Sequence, residues 1–384
     1  MDFSRRLSKR GAVDPFIVMD VMEAARRREA TGRDVIHMEV GQPATPAPRR
    51  AREAAAAAMD GDALGYTVAL GLPALRERIS RLYRDWYGLD VPAERIIVTS
   101  GSSAAFLLTF LALFDVGDKV ATVAPGYPSY RNIFNALGVD VVETPGAAAD
   151  GWRPTPRMVA EAGDIRGFLA ASPSNPTGAM LDKPTLAALI DAVRAKDAVF
   201  ISDEIYHGLH YGARAHSALE IDDQAVVINS FSKYFSMTGW RIGWMVAPDW
   251  MVRQVERLAQ NFFICAPHIS QVAALAAMDA DEECEANLAV YRRNREVLLE
   301  ELPKAGFDRL APCEGAFYIY AETDRLAADS REFCDRMLAE AGVAATPGLD
   351  FDPQRGAGTV RFSFARSTED MIEGARRLKT WLRP

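Results

Sequence analysis

A single lysine, Lys233, stands in the serine-rich turn Ser230-Phe231-Ser232-Lys233, directly after the apolar run Val226-Val227-Ile228. One arginine, Arg241, follows within the next ten residues, just ahead of Ile242 and Gly243. A lysine in a largely uncharged pocket loses its proton readily and becomes an amine nucleophile. Hydroxyls and a guanidinium beside it are phosphate ligands. Together these parts suit a lysine that carries a phosphorylated aldehyde. A solvated loop lysine after a strand has the same local sequence, so the rest of the chain must supply the remaining contacts.

Three other loops offer complementary chemistry. Ile96-Ile97-Val98 ends in Thr99-Ser100-Gly101-Ser102-Ser103 and then a helical run. A glycine turn with hydroxyls at a helix start is an anion site, because free amides and the positive end of the helix dipole point outward. Phe168–Ala171 ends in Ser172-Pro173-Ser174-Asn175-Pro176-Thr177-Gly178, where two prolines fix the backbone around Asn175. An ordinary Asn-Pro turn has the same signature. Val199–Ser202 ends in Asp203-Glu204-Ile205-Tyr206. A carboxylate directly after a buried strand is costly unless it meets a cation. A protonated pyridine nitrogen at about 3 Å would attract it by roughly 5 kcal/mol at an effective dielectric near 20, before desolvation. A structural salt bridge for Asp203 is the plain alternative. Tyr206, three residues on, is within reach of a neighbouring phenolic oxygen.

These loops must be positioned by strands. The apolar runs Ile96–Val98, Val120–Val123, Val139–Val142, Phe168–Ala171, Val199–Ser202, Val226–Asn229 and Ile242–Val246 include several that are apolar at every position, as strands covered on both faces are. Leu186, Leu189, Ile190 and Val193 between them follow helical spacing. The pattern predicts an α/β fold whose large domain, residues 45–284, holds a mostly parallel sheet of about seven strands flanked by helices. All four loops then lie at one end of that sheet, outside the carboxyl ends of its strands, where ligands collect in such folds. A smaller α+β domain is expected from residues 1–44 and 285–384. It would contain a helix capped by Asp14 with Pro15 in the first turn, a long polar helix near Glu285–Leu302, strands at Ala316–Ala321 and Thr359–Phe364, and a final helix capped by Ser367.

Composition bounds the function. The 384 residues, 49% apolar, exceed what one core usually organises and favour two domains. With 44 basic and 52 acidic residues the net charge is −8, and no dense basic block suggests a nucleic-acid surface. Cys265, Cys284, Cys313 and Cys334 form no C-x-x-C pair and read as thiols of a reducing compartment. His207 and His210 lack a third ligand of clear spacing, so a structural or surface role is expected rather than a metal site. The polar, basic start and the lack of a long apolar window argue against a signal peptide or membrane helix, and a cytoplasmic location is expected.

At these residues the chain resembles the class I/II aminotransferases of the fold type I pyridoxal-phosphate enzymes. Ser-Asn-Pro-Thr-Gly, Ser-Asp-Glu-Ile-Tyr and Ser-Phe-Ser-Lys with Met-Thr-Gly-Trp-Arg-Ile-Gly stand in that family's order and spacing, and the likeness runs from Gly41-Gln42-Pro43 to Arg361. The resemblance implies pyridoxal 5'-phosphate as cofactor, a Schiff base on Lys233, and ping-pong exchange of an amino group between an L-amino acid and a 2-oxo acid. It implies that Asp203 pairs with the pyridine nitrogen, that Asn175 and Tyr206 hold the ring's phenolic oxygen, and that Tyr127 stacks on the ring. Gly101, Ser102, Ser103, Ser230, Ser232 and Arg241 would hold the phosphate. Tyr66 resembles a tyrosine that reaches the neighbouring subunit's phosphate, which implies a homodimer with shared sites. Arg361 would bind the substrate carboxylate, with Gly41 approaching the substrate through its backbone. Ser232 departs from the alanine frequent in relatives.

Some aspartate-using relatives place a lysine in the glycine turn, where this chain has Ser102-Ser103. Phe262, Phe263 and Ile264 are candidates for an apolar substrate wall, which favours neutral or aromatic donors. Carbon–sulfur β-lyases and decarboxylases of the same fold use the same lysine and aspartate, so these residues do not separate them from a transaminase. A cofactor-sensing regulator would carry a DNA-binding segment, whereas residues 1–44 read as a helix and a turn.

Overall fold

The computed structural model describes residues 7–382. A short strand β1 (Ile36–His37) precedes seven strands of one sheet: β2 (Ile96–Thr99), β3 (Lys119–Ala124), β4 (Asp140–Pro145), β5 (Gly167–Ala171), β6 (Val199–Asp203), β7 (Val226–Ser230) and β8 (Gly243–Val246). Their order is β2-β8-β7-β6-β5-β3-β4, and every pairing is parallel except those of β8, which runs against both β2 and β7. The carboxyl ends of the other six strands therefore share one edge. All seven expected strands are present.

Successive residues of the central strands enter opposite cores, which is why their sequences are apolar throughout. Phe168 and Ala170 join one cluster while Leu169 joins the other. Val227 and Ile228 divide in the same way. Each large side chain so buried contributes roughly 1.5–3 kcal/mol of transfer free energy. The helix Lys183–Arg194 seals one face with Leu186, Leu189, Ile190 and Val193, all buried as their spacing predicts. Its N-cap is Asp182, whose side chain accepts from the Thr185 amide.

The C-terminal part supplies β9 (Tyr318–Glu322), β10 (Val343–Ala344), β11 (Thr346–Pro347) and β12 (Thr359–Ser363). β12 is the centre of an antiparallel sheet, between β11 and β9. β10 pairs in parallel with β1, which ties the N-terminal segment to this end of the molecule. The helix Asp281–Lys304 and the final helix Thr368–Leu382 pack beside it, the latter burying Met371, Ala375 and Leu378. The Asp370 amide donates to Ser367 Oγ, the expected cap.

The first helix corrects the sequence reading. Asp14 and Pro15 do not start it: it runs Ile17–Glu29, and its N-cap position, Phe16, makes no side-chain cap bond. The carboxylate of Asp350, far along the chain, accepts instead from the amides of Ile17 at 2.9 Å and Val18 at 3.4 Å. A carboxylate at the positive end of the dipole satisfies donors that the helix cannot satisfy itself. Asp350→Ala should cost about 1 kcal/mol or somewhat more. It should also speed amide exchange over residues 17–20, measured by mass spectrometry; unchanged exchange there would show that the helix does not depend on this cap.

Candidate active site

The edge formed by the strands' carboxyl ends, together with β9, β12 and the segment after β1, encloses a cavity of about 480 Å³. Ser102, Ser103, Tyr127, Asn175, Asp203, Tyr206, Ser232, Lys233, Arg241, Gly41 and Arg361 all line it. Gly101 and Ser230 lie next to lining residues without lining the cavity themselves. Tyr66 lies outside it and is 83% exposed.

Asp203 is the last residue of β6 and is only 2% exposed. Its Oδ1 accepts from the Ile205 amide at 3.1 Å, and its Oδ2 accepts from the hydroxyl of Tyr130. Burial pushes its carboxyl up to about 6, although both hydrogen bonds and the nearby Lys233 pull the other way. Lys233 Nζ donates to the Gly41 carbonyl at 2.7 Å and lies 5.7 Å from the centre of the Tyr206 ring. Burial, followed by the positive charges of Arg361 and Arg241, lowers this amine to about 8.

Arg361, at the centre of β12, is 3% exposed and has no carboxylate partner among the described residues. Nη1 donates to Asn175 Oδ1 at 2.8 Å, while Nη2 donates to the Glu39 carbonyl and, at 3.3 Å, to Thr346 Oγ1. Nε is buried with no partner. The rings of Tyr318 and Phe351 lie 4.3 and 4.7 Å from the guanidinium carbon. A buried cation held only by neutral groups is an anion site in waiting, because desolvation is not offset until a negative charge arrives.

The cavity also borders a helix start and a second arginine, groups whose chemistry suits an anion. Gly101 (φ 78) caps the helix Ser102–Leu113, whose first amides have no partner within the helix. A Cβ at 101 would collide with the Arg241 guanidinium, so glycine is needed both for the turn and for that approach. Arg241 itself adopts φ 51 and donates from Nη1 to the Thr238 carbonyl at 3.0 Å. Ser230 Oγ and Ser232 Oγ are 2.9 Å apart.

Several site residues escaped the sequence reading. Tyr130, one helical turn after Tyr127, bonds Asp203, and its i+3 spacing from Tyr127 is the only local signal for it. Tyr318 bonds the Tyr206 hydroxyl at 2.8 Å from a strand distant in sequence. It also packs against Gly41, where any Cβ would strike its hydroxyl. Phe16, Val18 and Met19 form an apolar wall with Val40 and Ile205. Phe262, Phe263 and Ile264 do not line the cavity. The helix Asp249–Phe262 ends there, with Phe262 56% and Ile264 48% exposed, and Phe263 packs against the core cluster that contains Met251, Val255 and Ala259.

The donor set fits pyridoxal phosphate: a buried carboxylate lacking an ion pair, a depressed lysine, and an amide-rich anion cradle lie around one cavity. This mostly parallel sheet with its lysine-bearing edge is that of the fold type I enzymes. A family model described as aminotransferase class I and II matches residues 33–378, and the chain belongs to that family. It is 48% identical to a valine–pyruvate aminotransferase of Mycobacterium tuberculosis over 98% of both chains. A solved structure from Silicibacter pomeroyi superposes with a TM-score of 0.93 at 59% identity, covering 98% of this chain and 99% of that one. The aspartate aminotransferase of Thermus thermophilus with maleate gives 0.92 at 32% identity, covering 97% and 99%. The protein is an enzyme of the transaminase class, and its family and fold imply the use of pyridoxal phosphate.

The lowered Lys233 pKa has a direct readout. Burial and neighbouring cations favour the neutral form, so the amine is protonated below about pH 8 and free above it, against an ordinary 10.5. In cofactor-free protein, the pH profile for acylation of Lys233, followed by peptide mass spectrometry, should have its midpoint near 8. A midpoint above 10 would contradict the electrostatics described here.

Proposed function

We propose that the protein transfers the amino group of a neutral or apolar L-amino acid to a 2-oxo acid, with pyridoxal phosphate held in the cavity described above. The observation that carries this reading is Arg361, a buried fork with no counter-ion among the described residues, opening on the same cavity as Lys233 and Asp203. It suits the carboxylate common to every amino acid and 2-oxo acid, bound through two hydrogen bonds. Asn175 and the Glu39 carbonyl hold the guanidinium in place before the substrate arrives, which lowers the ordering cost of binding.

Asp203 would face the ring nitrogen, Asn175 and Tyr206 the phenolic oxygen, and Tyr127 the ring face. Gly101, Ser102, Ser103, Ser230, Ser232 and Arg241 would hold the phosphate. When bound, the cofactor supplies an aldehyde carbon and an electron-accepting ring. The remaining work falls to the chain. Lys233 Nζ, neutral at mildly alkaline pH, takes the proton from the substrate Cα. Tyr130 orients the Asp203 carboxylate, and Tyr318 orients the Tyr206 hydroxyl.

The side-chain end of the cavity is walled by Phe16, Val18, Met19 and Val40. Arg361 and Arg241 are the only arginines lining it among the described residues, and both are assigned above to other anions. An apolar wall favours valine, leucine or phenylalanine over aspartate, by roughly 1–3 kcal/mol per apolar group accommodated. The name of the Mycobacterium tuberculosis relative agrees with this choice.

The same reading includes a homodimer, in which the exposed Tyr66 serves the neighbouring subunit's phosphate, and a division of the chain into a large part, 45–284, and a smaller part, 1–44 with 285–384. The parallel pairing of β1 with β10 supports that division. The four cysteines are all free, which agrees with a cytoplasmic location, and no described helix is long and apolar enough to cross a membrane.

Holoenzyme given single amino acids without a 2-oxo acid should pass the amino group to the cofactor, followed by loss of its visible absorbance. Apolar donors should act at least about tenfold faster than aspartate, and Lys233→Ala should be inert. Steady release of pyruvate and ammonia instead would point to a lyase, and a preference for aspartate would refute the apolar wall's role. Sedimentation of the 42.1 kDa chain should give a dimer, and Tyr66→Ala should weaken cofactor retention. A monomer that retains the cofactor normally would dispose of the shared site.

A further inference from the structure

A second cavity, of about 490 Å³, opens on the far side of the residues that follow Asp203 and Lys233. It shares no lining residue with the active site. Its walls are aromatic: Trp86 and Tyr87 from the end of the helix Pro73–Tyr87, with Tyr211 and Tyr234. Trp86 meets Tyr234 edge to face at 5.5 Å and Tyr87 at 6.1 Å. Leu288 is a buried wall residue between Glu285 and Arg292 on the helix Asp281–Lys304.

The polar groups around this cavity are mostly satisfied within the protein. Tyr87 Oη bonds His207 Nδ1 at 2.6 Å, Tyr211 Oη donates to the Ala316 carbonyl at 2.5 Å, and Tyr234 Oη donates to Glu285 at 2.8 Å. Arg214 is held by Glu220 through two bonds, 3.0 and 2.7 Å, and lies 5.4 Å from the centre of the Tyr87 ring. Two groups are left over. Arg292 has no carboxylate or hydrogen-bond partner among the described residues, and His210 Nδ1 is buried without one. The tyrosines thus have their hydroxyls engaged elsewhere, which leaves ring surface, one unpaired guanidinium and one imidazole nitrogen to meet a ligand.

We propose that this cavity is an effector site for a small planar aromatic monocarboxylate bearing a ring hydroxyl or amine. The ring would pack among Trp86, Tyr87 and Tyr234, the carboxylate would pair with Arg292, and the polar substituent would bond His210. Glu285, already engaged by Tyr234, disfavours a second negative charge. The volume lies within the 300–1,000 Å³ range of small-molecule sites. The site has a short route to the chemistry. Tyr234 follows Lys233 in the chain, and His207 follows Tyr206. His207 Nε2 also bonds the Ser172 carbonyl at 2.8 Å, at the head of the loop that carries Asn175.

The test titrates holoenzyme with 4-hydroxybenzoate by calorimetry, in the presence of a saturating 2-oxo acid that occupies Arg361. One equivalent per chain should bind. Arg292→Ala should weaken it about tenfold, the effect of losing one charge-assisted contact. Leu288→Trp, which fills the cavity, should abolish it, and both variants should keep wild-type kcat/KM without the probe. Saturating probe should alter kcat while leaving the KM of the amino donor unchanged. Binding wholly displaced by the 2-oxo acid, unchanged affinity in both variants, or a kcat unmoved at saturation would each overturn the proposal. None of these outcomes bears on whether the enzyme transaminates, since turnover without the probe reports that separately.

Discussion

The architecture converges on a guanidinium that has been removed from water with no counter-ion among the described residues. Arg361 is fixed from three separate parts of the chain: Glu39 after β1, Asn175 after β5, and Thr346 in β11. Aromatic faces from Tyr318 and Phe351 cover it. Neutral partners hold such a cation in one geometry but leave its charge uncompensated, so an anion that reached it would offset the cost of its burial. Breaking any of the three tethers would loosen the fork, and adding an acidic neighbour would spend its charge internally.

The same electrostatic reasoning governs the other two charged groups. Burial raises Asp203 and lowers Lys233, so each moves toward its neutral form. Arg361 and Arg241 add to the push on the lysine. A lysine fully paired with Asp203 would be held protonated and inert. Here Asp203 instead takes its hydrogen bonds from Tyr130 and the Ile205 amide, while Lys233 Nζ rests on the Gly41 carbonyl. The separation of these partners keeps one group available as an amine and the other as a carboxylate.

The strands and their loops were legible in the sequence because each depends on local pattern. Runs apolar at every position require cover on both faces, and the residues directly after them fall at the strand ends by construction. The sequence alone therefore places Asp203, Asn175 and Lys233 at one edge. What could not be read depends on contacts between distant segments. Asp350 caps a helix 333 residues away, and nothing near Ile17 announces it. Tyr318 reaches Tyr206 from a strand 112 residues later. Phe262, Phe263 and Ile264 have the composition of a wall but sit where a helix ends, so their placement needed three dimensions. Of the apolar residues that do line the cavity, Phe16, Val18 and Met19 lie in a segment whose sequence speaks only of a helix.

The reversed strand β8 has a consequence for how this site comes into being. Ser230 pairs with Gly243, so the lysine and Arg241 belong to one short connection closed at its base by neighbouring antiparallel strands. Such a loop closes at small entropic cost. The contacts of Arg361 with Asn175 and Glu39 instead join residues 186 and 322 positions apart. Assembly of the two ends of the cavity therefore differs in contact order: the loop from Lys233 to Arg241 is a local product of the chain, and Arg361 reaches its partners only when the N-terminal and C-terminal parts meet. A nascent chain still lacking its last strands already carries the whole of the lysine loop, but not the arginine that shares its cavity.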